Sequence, residues 1–201
     1  MISAIALLGA LARPAAPPPA EQDDDLLARH QAGEPDAFAA IYRAHSVAVY
    51  RRLSRILGPV PEREDLTQDV FLALHKTLPR FRGESQLSTL IHRIAINRAC
   101  DYLRRRARRP VNLVEGTFFD DIVGPASSPE VHSAAREDLV RVFTCLAKIK
   151  PKKRIAFLLR VVEGMSFDEI GQLTDAAPEA VAKRVQHAQH ELDALLARSA
   201  R

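Results

Sequence analysis

An all-α fold is predicted: two small helical domains joined by a flexible linker, the C-terminal one containing a helix-turn-helix. Three observations predict it. Apolar residues recur at three- and four-residue intervals through most of the 201 residues, the spacing that lines one face of a helix. Tryptophan is absent and glycine occurs only 8 times, which disfavours a loop-rich β design. The helical pattern lapses over residues 110–129, a stretch bearing Pro, Gly and the pair Ser127-Ser128 without a sustained period, as a linker does.

The elements follow in order. Residues 2–12 are an apolar run of signal-peptide length, but no Lys or Arg precedes it and it is too short to span a bilayer. Pro14 to Pro19 then forms a stiff spacer. The first 20 residues therefore read as a disordered extension or a misplaced translation start, with export the lesser reading, and the extension is bounded at residues 1–22. The first helix begins at Asp23, with Leu26, Leu27 and His30 on one face and Gly33 placed to stop it. The second spans about Pro35 to Leu57, burying Phe38, Ile41, Tyr42, Val49, Leu53, Ile56 and Leu57, and Gly58-Pro59 ends it. Pro61 opens the third, whose first turn carries Glu62, Glu64 and Asp65 to complement the helix dipole. Its buried stripe is Leu66, Val70, Phe71, Leu74 and Leu78.

Arg80 to Ser85 is a loop centred on Gly83, and a fourth helix runs from about Gln86 to Arg108, burying Leu87, Leu90, Ile91, Ile94 and Leu103. It finishes in an arginine cluster within Arg104 to Arg109. Cations suit a helix C-terminus, but the cluster is denser than capping requires. After the linker, helical patterning covers about Glu130 to Ala147, breaks at Pro151 and resumes through Ile155, Phe157, Leu158, Val161 and Val162 to Gly164. Ser166-Phe-Asp-Glu169 is a capping box that fixes the start of a short helix bearing Phe167, Ile170 and Leu173. Thr174 to Ala177 form a tight turn. Pro178 opens the last helix, buried at Val181, Val185, Ala188, Leu192 and Leu195. Short helix, tight turn and longer amphipathic helix make a helix-turn-helix, whose second helix enters the major groove.

Charge is unevenly spread. Residues 34–109 hold 15 basic against 8 acidic side chains, residues 110–147 hold 2 against 6, and residues 148–201 hold 10 against 7. Two basic modules flanking an acidic connector favour a polyanionic partner for the modules alone. Cys100 and Cys145 show neither CxxC spacing nor a partner His at ligand intervals, and read as reduced, packed thiols in a cytoplasmic protein. There is no Ser/His/Asp or Cys/His arrangement with local support, no phosphate-cradling glycine loop and no HExxH. The chain therefore reads as a non-enzyme without metal, cofactor or small-molecule substrate.

Glu64-Asp-Leu-Thr-Gln-Asp-Val-Phe71, Arg80-Phe-Arg-Gly-Glu-Ser85 and the helix through Asn97 and Asp101-Tyr-Leu-Arg-Arg105 resemble the first domain of the extracytoplasmic-function (ECF) sigma factors, small subunits of bacterial RNA polymerase. Arg160, Glu163-Gly164 and Phe167 to Ile170 resemble that family's second domain. The resemblance covers about residues 34–108 and 136–198. It implies a region 2-like domain at 23–109, an acidic linker at 110–129 and a region 4-like helix-turn-helix domain at 130–201. Asp65, Gln68 and Asp69 are then the polar contacts to core polymerase, with Phe71 packing inward. The −10 DNA falls to Arg80, Arg82, Glu84, Ser85, Gln86, Arg93, Asn97, Arg98, Arg104, Arg105, Arg106 and Arg108, since melting needs a cradle for unstacked bases and cations for phosphate. The −35 DNA falls to Arg160, Ser166, Glu179, Ala180, Lys183, Arg184 and His187. The implied partners are core RNA polymerase, promoter DNA and an anti-sigma factor, often membrane-bound in this family.

The chain departs from the family pattern at two places. Leu90 and His92 stand where aromatic residues are usual, and Ala182, His187 and Gln189 stand at commonly basic positions, while Lys183 replaces a usual Ser. The other class of reading is a helix-turn-helix regulator acting without polymerase, which has no need of Asp65 to Phe71 or Arg80 to Arg109.

Overall fold

A computed structural model of the chain describes Leu8, residues 20–106 and residues 129–199. The N-terminal extension lies outside the described residues save Leu8 and the first turn of a helix, as do the linker save Pro129 and, in the arginine cluster, Arg108 and Arg109. The described residues form helices α1 (Ala20–Gln31), α2 (Ala37–Leu57), α3 (Arg63–Thr77), α4 (Leu87–Arg106), α5 (Pro129–Lys148), α6 (Pro151–Val161), α7 (Phe167–Thr174) and α8 (Pro178–Ser199). A single 3-10 turn, Leu78–Arg80, follows α3. No strand occurs among the described residues, in keeping with the predicted all-α class.

By proximity the chain divides into two compact units. One comprises Pro14–Leu53 and Glu62–Ala99. Its core is built from the apolar faces of four helices: Leu26 and Leu27 of α1, Ile41, Val49 and Leu53 of α2, Val70, Phe71 and Leu74 of α3, and Leu87, Ile91, Ala95 and Ile96 of α4, all buried. Their three- and four-residue spacing within each helix is the reason these segments coil rather than extend. Tyr42, expected inside, is 40% exposed: its ring lies on Phe71, centroids 4.7 Å apart, so it covers the core from outside. Leu90 and Ile94 are half-buried at the margin of the α4 stripe, whose centre is Ile91, Ala95 and Ala99.

The other unit contains Ser54–Pro61 and Cys100–Arg201. Here α8 packs on α5, α6 and α7, around buried Leu139, Leu146, Phe157, Leu158, Ile170, Val181, Ala188 and Leu192. Val185 and Leu195, expected to be buried, are half-exposed at the edge of the α8 stripe. Ser166 caps α7 as its sequence predicts: its hydroxyl accepts from the Glu169 amide at 3.2 Å while Glu169 Oε2 accepts from the Ser166 amide at 2.7 Å. The turn to α8 closes through a 3.0 Å bond from the Ala176 amide to the Gly171 carbonyl. A Cβ at position 171 would lie 2.6 Å from the Ala176 carbonyl oxygen, so only glycine allows this close approach. Cys100 and Cys145 are free and buried, and burial raises the Cys100 thiol to about 11, the state of a packed, unreactive thiol.

Candidate nucleic-acid and docking interfaces

α3 presents one continuous polar face. Asp65, Gln68 and Asp69 are exposed along it, one turn apart as i, i+3 and i+4 residues must be. Phe71 is 3% exposed and supports this face from beneath, against Tyr42. Directly in the register of Gln68 and Asp69 stands Leu72, 61% exposed. Sequence reasoning left Leu72 off the buried stripe without assigning it a use. Leu72 lies between Gln68 and Asp69 on one side and the exposed His75 and Lys76 on the other. Further along, His75 meets the Phe38 ring edge-on at 4.9 Å, and His30 of α1 lies 6.0 Å from the same ring.

The segment after α3 carries the next group. Arg80, Arg82, Glu84, Ser85 and Gln86 are all exposed, and Gly83, at φ +75, turns the loop with no atom within 4 Å of where its Cβ would sit. The loop thus offers cationic and hydrogen-bonding side chains on an open backbone. On α4, Arg93 and Asn97 are exposed and Arg98 half-buried. Arg104 is held by Asp101 at 2.8 Å. Arg106 stacks over the Tyr102 ring, 5.6 Å to the centroid, and reaches that residue's hydroxyl. Arg105 is exposed between them. Among the described residues of the cluster, Arg104 and Arg106 are positioned by their own helix and Arg105 projects outward. Leu90 and His92 both lie half-buried, so neither supplies an exposed aromatic wedge.

In the helix-turn-helix, Glu179, Lys183 and His187 are exposed along α8, four residues apart, with Ala180 and Arg184 half-buried beside them. Gln186 and His190 extend the same exposed face. Gln186 was passed over by sequence reasoning, although its three-residue step from Lys183 is the signal that finds it. Arg160 does not project freely: its guanidinium lies over the Phe167 ring at 5.0 Å and donates to the Met165 carbonyl at 2.9 Å. It fixes the approach to α7, as the Ser166 cap does.

Behind the loop lies a buried polar pair that the sequence reading missed. Asp23 of α1 is 0% and His45 of α2 3% exposed. Asp23 Oδ1 stands 3.0 Å from His45 Nε2, and Asp23 Oδ2 accepts from the Ser88 amide of α4 at 2.9 Å. Burial pushes the His45 pKa down, the opposing pull of the Asp23 carboxylate being smaller. Among the described residues no group of three or more His, Cys, Asp or Glu side chains gathers where a metal ion could be held. No helix among them is long and apolar enough to cross a membrane.

Two helical modules, one bearing an exposed acidic helix face beside an arginine-lined loop and the other a helix-turn-helix, are matched by two family models: Sigma-70 region 2 over residues 41–109 and Sigma-70, region 4 over residues 139–188. The ECF RNA polymerase sigma-E factor of Escherichia coli K12 is 30% identical over 179 residues, covering 85% of this chain and 92% of the relative. The RNA polymerase sigma-H factor of Pseudomonas aeruginosa is 29% identical over 182 residues, covering 88% and 94%. Among solved structures, that of CnrH in complex with the cytosolic domain of CnrY is similar at a TM-score of 0.56 and 26% identity, over 88% of this chain and 97% of that one. The class is thus the sigma-70-type subunit. Within it, the chain belongs to the ECF family of sigma factors, which direct promoter-specific transcription by RNA polymerase.

Proposed function

We propose that each exposed face described above serves one step of initiation. The α3 face, Asp65, Gln68, Asp69 and Leu72 over buried Phe71, docks on core polymerase. Leu72 supplies the apolar anchor that a docking face needs at its centre, and the flanking acids select a basic partner surface. The Arg80 to Gln86 loop, with Arg93, Asn97 and Arg98, receives the unstacked −10 strand, and Arg104 to Arg106 hold its phosphates. The α8 residues Glu179, Lys183 and His187 meet base edges at −35 while Arg160 and Ser166 fix the turn that aims them. On this reading region 2 corresponds to residues 23–109, the connector to 110–129 and region 4 to 130–201. The bond-making chemistry belongs to the polymerase; this chain supplies specificity and acts in the cytoplasm, where promoter DNA is.

The observation that carries the reading is the exposure, within one module, of the acidic α3 face and the arginine-bearing loop, which a DNA-binding regulator acting alone would not require. A protein anti-sigma partner is supported by the similarity to CnrH, solved with the cytosolic part of CnrY. Anchoring of that partner in a membrane would follow the same pattern. The promoter roles are tested by the salt dependence of holoenzyme binding. Replacing Arg82 and Arg105 by Ala should reduce the slope of log K against log salt by about 1.5 to 2, one phosphate each. An unchanged slope removes both from the DNA contact.

A further inference from the structure

The region 2 match begins at residue 41, after α1, yet α1 touches both ends of the loop that the proposed function assigns to the −10 strand. Near its start, the fully buried Asp23 accepts the Ser88 amide at 2.9 Å. Ser88 is the second residue of α4, so its amide is among those a helix leaves without an internal acceptor, and a carboxylate there also complements the dipole. At the last residue of α1, Gln31 Nε2 donates to the Phe81 carbonyl at 3.5 Å. On its other side Asp23 Oδ1 lies 3.0 Å from His45 Nε2, a close polar contact outside hydrogen-bonding geometry. A buried carboxylate left without partners is costly, so the Ser88 amide and Asp23 hold each other in place.

We infer that α1 is a strut for the −10 loop and that Asp23 is its principal positioning residue, acting through Ser88, with Gln31 bracing the opposite end. This inference rests on the reading of Arg80 to Gln86 as the strand-capturing segment. An exposed loop must spend conformational entropy to present its side chains in one geometry. Fixing both ends beforehand removes part of that cost from the binding step, and the gain appears as affinity for the strand rather than for core polymerase.

The test uses full-length chain reconstituted with core polymerase and a single-stranded oligonucleotide carrying the −10 sequence of a promoter that the wild type transcribes. Asp23→Ala should weaken oligonucleotide binding about tenfold, the scale of a lost charge-assisted hydrogen bond, with core affinity unchanged. Asp23→Asn keeps an acceptor for the Ser88 amide and should recover most of the loss, which a merely structural role for the charge would not produce. Gln31 is exposed, so Gln31→Ala tests the other end without threatening the fold, and about a twofold loss is expected. If Asp23→Ala fails to fold, Asp23→Asn and Gln31→Ala still decide the matter through hydrogen exchange over residues 81–88, where faster exchange in Gln31→Ala but not in Asp23→Asn supports the strut. Wild-type binding by a folded Asp23→Ala protein, or equal losses in the Ala and Asn variants, overturns it. A loop variant, Arg82→Ala/Gln86→Ala, separates the two readings. If that variant binds the oligonucleotide normally, the −10 assignment has failed, and the strut then stands or falls on whether Asp23→Ala loses exchange protection at 81–88.

Discussion

His45 sits in an environment unlike the one its type prefers. Its ring is buried beside one carboxylate, and burial outweighs that carboxylate, so its folded-state pKa lies below the ordinary 6.5. The unfolded chain therefore binds a proton at a pH where the folded chain resists it. Stability from this site is fully present above about 6.5 and is lost as pH falls through that value toward the lower folded pKa. Thermal melting at pH 7.5 and 5.5 should show the decline, and His45→Gln should flatten it; an identical pH slope in the variant would remove His45 as its source. Neighbouring positions on α3 separate packing from docking in the same way. Phe71→Ala should cost about 3 to 5 kcal/mol of stability. Leu72→Ala, at an exposed position, should change stability by less than about 0.5 kcal/mol while weakening core polymerase binding. Chemical denaturation beside a core-binding titration measures both, and a Leu72→Ala protein that binds core normally would exclude it from the docking face.

Among the elements, the helix-turn-helix was the most legible from sequence, because its geometry is set by local chemistry. Ser166 and Glu169 three residues apart announce the α7 start, and both halves of the capping box are formed. The four-three spacing of Val181, Val185, Ala188 and Leu192 announces the α8 stripe, though Val185 sits at its margin. The need for glycine at 171 was not legible, since it arises only when the turn brings the Ala176 carbonyl back over α7. Gly171→Ala should therefore destabilise this element by about 1 to 3 kcal/mol and lower −35 binding in proportion. Full stability in a melting experiment would show that the turn relaxes freely. In the other unit, Asp23 heads a run of three acids, Asp23 to Asp25, and served in the sequence only to mark where the first helix begins. Its position three and four residues before Leu26 and Leu27 places it on the buried face, but its partners at 45 and 88 are joined to it only by the tertiary fold. Arg63 was hidden for a similar reason: it opens α3 as a basic residue in an acidic turn, yet it is buried with its guanidinium 5.4 Å from the Tyr50 ring. Periodicity identifies apolar stripes, and it is silent about polar groups that the stripes enclose.

For the whole molecule, the family and the order of its two modules were legible, because the acidic octet, the arginine-rich helix and the capped helix-turn-helix occur in one chain with the family's spacing. The departures bear on strength of function rather than kind. With Leu90 and His92 half-buried, the first module lacks an exposed aromatic at the usual position, which on the proposed function would leave the loop and arginines to carry strand capture. On the proposed function, this chain acts through core polymerase by way of the α3 face. Run-off transcription tests it most directly, comparing wild type with Asp65→Ala/Asp69→Ala on a panel of promoters with purified core enzyme. The account predicts discrete transcripts with the wild type, and loss of both core association and transcripts in the folded double variant. A wild-type protein that binds promoter duplex tightly without joining core polymerase, or a double variant that transcribes as well as wild type, would contradict it.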